Sequence, residues 1–255
     1  MKRPKAPQRV LVFGATSAIA AQVARLHAQR GARLHLVGRN PDKLAATAAL
    51  CANAPGATVT TQVADFDELD AAEALVESSI RALGGVDSVL IAHGLLGDQL
   101  ETERTFSAAE QTLRTNFISV VALLVPLANH LESTRAGRLG VITSVAGDRG
   151  RPRNYTYGAA KGALNIYLQG LRTRLYAADV TVSTLKLGPV DSPMTRDHAK
   201  HMLFGQPDRV ARGIVHAMDA GTPEAYVPSF WAAIMPVVKH TPESLFQKLS
   251  FLSGR

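Results

Sequence analysis

VLVFGATSAIA, residues 10–20, is an apolar run followed by a glycine turn and the start of a helical pattern. Gly14 provides the tight turn, because glycine adopts left-handed backbone without a steric penalty. Thr16 or Ser17 can cap the helix and also offer a hydroxyl to a ligand. A helix N-terminus presents unpaired N–H groups and the positive end of the helix dipole. The stretch therefore predicts a pyrophosphate site at the carboxyl end of a buried strand.

On either side of this turn, β-branched apolar runs alternate with longer segments of helical spacing, which is typical of a parallel sheet with helices on both faces. We predict a single α/β domain with a Rossmann-type, doubly wound sheet of about seven strands. The predicted strands are Arg9–Phe13, Arg33–Val37, Thr58–Val63, Val86–Ile91, Leu139–Thr143, Thr181–Lys186 and Ala225–Val227. The predicted helices are Ser17–Arg30, Asp42–Ala52, Leu69–Leu83, Ser107–Glu132, Tyr157–Ala178 and Pro207–Asp219.

The composition indicates an ordinary globular protein, since 46% of the 255 residues are hydrophobic and 19% are charged. We expect a basic extension at 1–8, a dinucleotide-binding catalytic domain at 9–228, and an amphipathic tail at 229–255. The tail is too short to span a bilayer, so we expect it to pack on the domain or to lie at a membrane or oligomer interface. Cys51 is the one cysteine, which excludes an internal disulfide. We expect a cytoplasmic protein, either free or peripheral at the inner membrane surface.

The net charge of +7 is spread along the chain, and aromatic residues are only 5%. A nucleic-acid-binding surface usually concentrates basic residues in a stripe with interleaved aromatics. We therefore expect an anionic small molecule or membrane surface as partner, and no nucleic acid. We expect no metal either, because His198 and His201 lack further ligands at metal spacing.

The end of the second predicted strand indicates which dinucleotide binds. Gly38 stands where an NAD-binding protein carries an acidic residue for the ribose 2′-hydroxyl, and Arg39 follows. A guanidinium forms paired hydrogen bonds to a 2′-phosphate. We therefore predict NADP(H) in preference to NAD(H), with Arg39 as a solvated loop residue as the alternative.

The strongest chemical signal is the pair Tyr157 and Lys161, which lie four residues apart and so share one helix face. A nearby ammonium favours the ionised phenol and moves its pKa toward the working range of a general acid or base. Ser144 stands thirteen residues before Tyr157, after a predicted strand, and Asn116 lies on the preceding predicted helix.

Together these motifs resemble the short-chain dehydrogenase/reductase family over nearly the whole chain. Three departures are visible: Ala18 and Ala20 replace two glycines of the family's TGxxxGxG turn, and His93 stands in its Asn-Ala-Gly motif. The resemblance implies that Ser144 holds the substrate oxygen, Tyr157 transfers its proton, Lys161 lowers the phenol pKa and binds the nicotinamide ribose, and Asn116 carries a water relay. It implies cofactor contacts at Gly14, Thr16, Ser17, Ala18, Ile19, Arg39, Asn40, Asp65, Phe66, Ala92, His93, Gly94, Tyr157, Lys161 and Val190.

Substrate clues lie in the loop before Tyr157 and in the tail. Arg149, Arg151 and Arg153 stand near the expected substrate entrance, as phosphate ligands or as a solvated basic loop. With the tail, this loop is similar to one subgroup, the decaprenylphosphoryl 2-keto-ribose reductases, which implies a ketone on a polyprenyl phosphate.

Two alternatives stay open: a reductase of a soluble or acyl ketone, with the tail as a lid or oligomer contact, and a non-catalytic NADP(H)-binding scaffold. Relatives associate through two long helices, here Ser107–Glu132 and Tyr157–Ala178, so we expect a homo-oligomer, either a dimer or a tetramer.

Overall fold

The fold is a single parallel sheet covered by helices on both faces. A computed structural model describes residues 8–195 and 203–249, and within them seven strands pair in the order β3-β2-β1-β4-β5-β6-β7. The strands are β1 (Arg9–Phe13), β2 (Arg33–Gly38), β3 (Thr58–Val63), β4 (Ser88–Ile91), β5 (Gly137–Ser144), β6 (Val180–Leu187) and β7 (Glu224–Val227). The predicted doubly wound Rossmann fold is confirmed.

Strand β1 is the centre of the topology, because β2 lies on one side of it and β4 on the other. The chain runs outward from β1 to β3, then returns to begin the second half at β4. This reversal opens a crevice beyond the carboxyl ends of β1 and β4, which is where ligands bind in such sheets.

Ten α-helices accompany the sheet in the described part of the chain. They are α1 (Ala18–Ala28), α2 (Pro41–Ala52), α3 (Ala72–Leu83), α4 (Gln99–Arg104), α5 (Phe106–Leu113), α6 (Ser119–Thr134), α7 (Tyr155–Leu175), α8 (Pro207–Asp219), α9 (Trp231–His240) and α10 (Glu243–Phe246). A π-helical turn, Arg114–Ile118, joins α5 to α6.

Two apolar cores fill the space between the sheet and its helices. One core joins Leu11 and Phe13 of β1 to leucines of α3, α6 and α7, and the other joins Val10 and Val12 to α1, α2 and α8. Both faces of β1 are therefore buried, which explains its continuous apolar sequence.

The helical run Phe106–Thr134 is the one stretch of the described residues that is long and apolar enough to cross a membrane. Leu123, Leu124, Leu127 and Leu131 of this run are buried in the first core. In this fold the run is a core helix of the sheet, so its hydropathy is explained by packing.

The bounds of most predicted helices and strands agree with the structure to within a few residues. Three local features were not predicted. The short helix α4 was not predicted, because QLETER carries a single apolar residue. The π-helical turn has no signature in residue spacing. The tail was predicted only as amphipathic, whereas it forms α9 and α10, separated by Thr241 and Pro242.

Removing the side chain of Leu124 should destabilise the fold strongly, since this residue is fully buried between α6 and the sheet. We expect Leu124→Ala to lower the free energy of unfolding in urea by about 3 kcal/mol. Leu100 is 60% exposed on α4, and Leu100→Ala should change this free energy by less than about 0.5 kcal/mol. Equal losses in the two variants would contradict this packing.

Candidate active site

The turn after β1 passes so close to the end of β4 that only glycine fits. Gly14 has φ +78°, and a Cβ there would lie 2.5 Å from the backbone nitrogen of His93. The backbone N–H groups of Gly14 and Ala15 both donate to Val37 O, which ties the turn to β2. Ala92 N donates to Phe13 O and ties it to β4.

Helix α1 begins directly beyond this turn and faces the crevice. Ser17 is its N-cap, and the Ser17 hydroxyl accepts from Ala20 N at 3.1 Å. The N–H groups of Ala18 and Ile19 lie in the first helical turn, where the helix itself provides no acceptor. No acidic residue stands in this first turn. The helix end therefore suits an anionic group such as a pyrophosphate.

The end of β2 brings Arg39 to the same edge of the sheet. A Cβ on Gly38 would lie 2.8 Å from Thr16 Cγ2, so Thr16 packs against the end of β2. The Arg39 side chain is 71% exposed, and its Nη1 lies 4.0 Å from Asp65 Oδ1. Asn40, predicted as a cofactor contact, uses its Oδ1 to accept from Lys43 N and so caps α2. Arg39 is thus the residue at this edge of the sheet whose donors are available to a ligand.

His93 is a buried, neutral imidazole at the end of β4. Its ring stacks on Phe66, with 4.4 Å between ring centroids. Burial, together with the charges of Lys161 and Arg39, lowers the pKa of His93 to about 3. Ser119 Oγ donates to Thr115 O and lies 2.9 Å from His93 Nε2, so Nε2 carries the proton and donates to Ser119.

The other ring nitrogen of His93, Nδ1, is buried with no hydrogen-bond partner among the described residues. With the proton on Nε2, Nδ1 is a bare acceptor beside the crevice. A hydroxyl of a bound ribose would satisfy it, which is one observation of this chain that fits a dinucleotide.

Ser144, Tyr157, Lys161 and Asn116 converge beyond the ends of β4 and β5. The Tyr157 hydroxyl interacts with Ser144, and Lys161 Nζ lies 5.7 Å from the centroid of the Tyr157 ring. A Cβ on Gly94 would lie 2.8 Å from Asn116 Oδ1 and 3.4 Å from Lys161 Nζ, so both groups lie against Gly94. The structure thus brings all four sequence-predicted side chains together.

Local structure explains each placement. Ser144 ends β5, where its Oγ accepts from Ala146 N and donates to Leu187 O. Asn116 lies in the π-helical turn, and its Nδ2 donates to Leu95 O at 2.6 Å and to Thr112 O at 2.8 Å. Its Oδ1 accepts from Leu95 N at 3.1 Å. π-Helical turns occur often at functional sites, because they redirect one side chain out of helical register.

The electrostatics of the tyrosine and lysine differ from the sequence-based expectation. Burial raises the pKa of Tyr157 to about 12, while its hydrogen bond with Ser144 acts in the opposite direction. Burial also lowers the pKa of Lys161 to about 8. The expected depression of the phenol pKa by Lys161 is therefore absent, because the ammonium lies over the ring and donates to Ile142 O at 3.4 Å.

Val190 lies beyond the end of β6 on the same side of the crevice. Its carbonyl accepts from Thr195 Oγ1 at 2.6 Å, so its N–H is the backbone group that can meet a ligand. His198 and His201, which we dismissed as metal ligands, lie outside the described residues.

Arg149 has a different role from the one that the sequence suggested. Its guanidinium donates to the carbonyls of Val238, Lys239 and Thr241 at the end of α9 and to Glu243 Oε2 at 2.8 Å. It also lies over the Phe246 ring, 3.9 Å from the centroid. Arg149 therefore holds the tail in place, and both of its Nη atoms are engaged in these bonds. Arg153 is exposed, and Arg151 is half-buried.

An ionic network that the sequence analysis missed fixes the base of the same loop. Lys186 Nζ lies 2.9 Å from both Asp148 Oδ1 and Glu224 Oε2. Tyr226 donates from its hydroxyl to Asp148 Oδ2 at 2.6 Å. A lysine within the apolar run of a central strand was the available signal, since a buried charge requires a buried partner.

Trp231 was also missed as a residue of this region. Its indole rests on Gly188, where a Cβ would lie 2.0 Å from Trp231 Nε1. Trp231 packs in an apolar group with Met235, Val238, Phe246 and Val145, the residue after Ser144. The first turns of the tail therefore form one wall of the site.

Comparison with known proteins places this geometry in a family. The family model described as short chain dehydrogenase matches residues 8–203. An uncharacterized oxidoreductase of Mycobacterium tuberculosis is 34% identical over 88% of this chain and 88% of its own. An uncharacterized oxidoreductase of Streptomyces coelicolor is 34% identical over 95% of this chain and 96% of its own.

Solved structures show the same fold at lower identity. Levodione reductase superposes with a TM-score of 0.78 and 23% identity, covering 86% of this chain and 94% of that one. An actinorhodin polyketide ketoreductase variant with NADPH gives 0.76 and 22%, covering 86% and 95%. With its family match over most of the sequence and its close oxidoreductase relatives, this chain belongs to the short-chain dehydrogenase family of oxidoreductases.

Proposed function

We propose that this protein is an NADP(H)-dependent oxidoreductase that interconverts a ketone and a secondary alcohol. The proposal rests on one observation: four side chains converge at the crevice, namely Ser144, Tyr157, Lys161 and Asn116. The N-terminus of α1, which suits an anionic group, faces the same crevice. Members of the family bind nicotinamide cofactors. The bound nicotinamide supplies or accepts the hydride, and the protein manages the oxygen and its proton.

The protein's own residues account for the proton transfer. Ser144 Oγ, at the end of β5, would give up its long hydrogen bond to Leu187 O, 3.4 Å, and donate instead to the carbonyl oxygen of the substrate. Tyr157 transfers its phenolic proton to that oxygen as the alcohol forms, because its high pKa keeps the proton on the phenol at neutral pH. Lys161 would stabilise the resulting phenolate once its ammonium moves from Ile142 O toward the phenolic oxygen, since a cation beside that oxygen favours the charged form.

Asn116 is suited to position a water molecule that passes a proton toward Lys161. Its amide bonds to both backbone groups of Leu95, and this pairing fixes the side chain beside Gly94 and the lysine. In this role Asn116 holds a water molecule through which the proton on Tyr157 is restored.

For the cofactor, Arg39 is the reason to prefer NADP(H). The guanidinium stands at the end of β2, and its one ionic contact in the described chain, to Asp65, is long at 4.0 Å. A 2′-phosphate there would gain charge-assisted hydrogen bonds from Arg39, and Gly38 puts no carboxylate at the end of β2, although the Asp65 carboxylate beside Arg39 offsets part of this gain. Ala18 and Ile19 N–H groups would hold the pyrophosphate, and His93 Nδ1 would accept from a ribose hydroxyl.

The substrate we favour is a lipid-linked keto-sugar, with a soluble or acyl ketone as the alternative. The tail supports a lipid-linked substrate, because Phe230, Val237 and Leu245 remain exposed on it while its other face packs beside Ser144. Such a surface could lie at a membrane, close to the mouth of the site. A non-catalytic scaffold is the less favoured reading, since the four reactive side chains are all present and adjacent.

We also propose that the protein is a homo-oligomer, either a dimer or a tetramer. The support is a set of large apolar side chains exposed on the two long helices: Phe106, Ile118 and Val125 on the α5–α6 run, and Tyr155 and Ile166 on α7. Isolated monomers rarely leave so many apolar groups on adjacent helices.

The first test concerns the proton donor. Tyr157→Phe removes the phenolic hydroxyl and keeps the ring, so we expect kcat for ketone reduction to fall by about 10²- to 10⁴-fold with little change in Tm. Tyr155→Phe, two residues earlier and partly exposed, is the matched control and should retain its activity. NADPH absorbance measures both, and full activity in Tyr157→Phe would favour the scaffold.

The second test concerns the cofactor. Arg39→Asp replaces the guanidinium with a carboxylate that accepts from a ribose 2′-hydroxyl and repels a 2′-phosphate. We expect kcat/KM for NADPH to fall by about 100-fold and the preference to turn toward NADH. Lys43→Asp makes the same charge change one turn into α2 and should leave the preference as it was. A wild-type protein that uses both cofactors equally would contradict our assignment.

The third test concerns the lipid surface. We expect the full chain to co-sediment with vesicles of phosphatidylglycerol and phosphatidylcholine, and Val237→Asp to weaken this binding by about tenfold through charge on the exposed apolar face. Leu50→Asp places the same charge on α2 and should bind as the wild type does. If vesicles do not bind and only water-soluble ketones turn over, the lipid-linked substrate is wrong.

A further inference from the structure

The Arg151 guanidinium is half-buried, and residues 8–195 and 203–249 offer it no charged hydrogen-bond partner. Its hydrogen-bond partner in the described chain is a thioether, Met235 Sδ, at 3.7 Å from Nη2. Its Nε is buried and has no partner among the described residues. Burial lowers the pKa of Arg151 from its usual value, yet a guanidinium stays charged at neutral pH. A cation in this position is costly unless something anionic meets it.

The charged groups around Arg151 do not neutralise it. Asp148 attracts it through space, but both carboxylate oxygens of Asp148 are already bonded, one to Lys186 and the other to Tyr226. Arg153 adds a repulsive positive charge. Glu243, the acid at the start of α10, is paired with Arg149. The loop therefore carries positive charge beyond what its own acids balance.

Contacts with α9 place Arg151 on the substrate side of the site. Met235, which the guanidinium touches, is 0% exposed and lies one turn after Trp231 on the same face of the helix. Both pack with Val145, the neighbour of Ser144, and Trp231 rests on Gly188 at the end of β6. Trp231 Nε1 is a second buried N–H without a partner among the described residues.

We propose that Arg151 is a substrate-binding residue whose guanidinium pairs with an anionic oxygen of the substrate, either a phosphate ester or a carboxylate. The substrates of the reductase are then anionic ketones, with the charged group held beneath α9 and the carbonyl at Ser144 and Tyr157. This inference rests on the proposed function for its chemistry, while the anion subsite stands on the contacts of Arg151 alone. Of the three arginines in this loop, the inference assigns substrate binding to Arg151, since Arg149 holds the tail.

Binding of phenyl phosphate tests the subsite without requiring turnover. The titration is done by calorimetry on the full chain saturated with NADP+, so that the probe does not report on the cofactor's phosphate sites. Arg151→Met should weaken binding by at least about tenfold, because a charged hydrogen-bond partner is lost. Arg81→Met, which removes an exposed arginine of α3, should bind like the wild type. The proposal fails if the wild type does not bind the probe, if Arg151→Met binds it unchanged, or if Arg153→Met shows the larger loss.

The Tm of the ligand-free protein is a second measurement. A substrate-binding role and a purely structural role of Arg151 predict opposite changes in it. Because Arg151 is a half-buried charge with no ion pair among the described residues, Arg151→Met should unfold at the same temperature as the wild type or above it. A lower Tm, with phenyl phosphate binding intact, would show that Arg151 only supports the loop.

Turnover of a matched pair of ketones separates this inference from the proposed function. With NADPH, the wild type should reduce 4-oxopentanoate with a higher kcat/KM than its methyl ester, and Arg151→Met should lower that ratio by about tenfold. Turnover of both ketones with no preference for the acid would overturn the inference and keep the reductase. Failure on both, with phenyl phosphate still bound, would count against the reductase and keep the subsite.

A final comparison identifies the source of the anion. Geranyl phosphate that binds about tenfold more tightly than phenyl phosphate supports an anion carried by a lipid chain, since added buried apolar carbons strengthen binding. Equal affinities support a water-soluble phosphate ester. In both cases the phosphate pairs with Arg151, so Arg151→Met should weaken the binding of either compound.

Discussion

The crevice of this protein depends on the close approach of two backbones, at Gly14 after β1 and at His93 after β4. No side chain fits between them, since a Cβ on Gly14 would lie 2.5 Å from His93 N. This contact sets the direction in which α1 leaves the sheet and so aims its N-terminus across the crevice. On the far side, Asn116 and Lys161 both lie against Gly94, where a side chain would displace them. Close packing at Gly14 thus positions the anion-binding part of the site, and close packing at Gly94 positions the reactive part.

The sequence was sufficient for features that depend on local pattern. Alternation of β-branched or apolar runs with helical spacing predicted all seven strands. The inner strands of a parallel sheet are buried on both faces and so read as apolar runs, while the exposed edge strand β3 was predicted from its β-branched residues. Spacing also predicted that Tyr157 and Lys161 share a face. The hydroxyls of Thr16 and Ser17 marked both as N-cap candidates, and the cap is Ser17. These predictions rest on chemistry within a few residues of chain.

Features that depend on contacts between distant segments were not predictable in the same way. The three arginines of the 149–153 loop look alike in sequence, yet Arg149 holds the tail, Arg151 is half-buried and Arg153 is exposed. The pKa of Tyr157 was expected to fall and instead rises, because desolvation outweighs the hydrogen bond with Ser144, while the Lys161 ammonium lies over the ring rather than at the hydroxyl. Burial is set by the whole fold, and spacing alone does not report it.

The attachment of Arg149 to the end of α9 joins the middle of the chain to its last described helices. Its donors satisfy helix-end carbonyls that would otherwise lack partners, so loop and tail behave as one structural unit although about ninety residues separate them in sequence. A chimera that exchanged the C-terminal segment with that of a relative would therefore have to exchange the loop before α7 as well. Divergence in substrate choice within this group of proteins is expected to proceed by paired changes in these two segments, over an unchanged sheet.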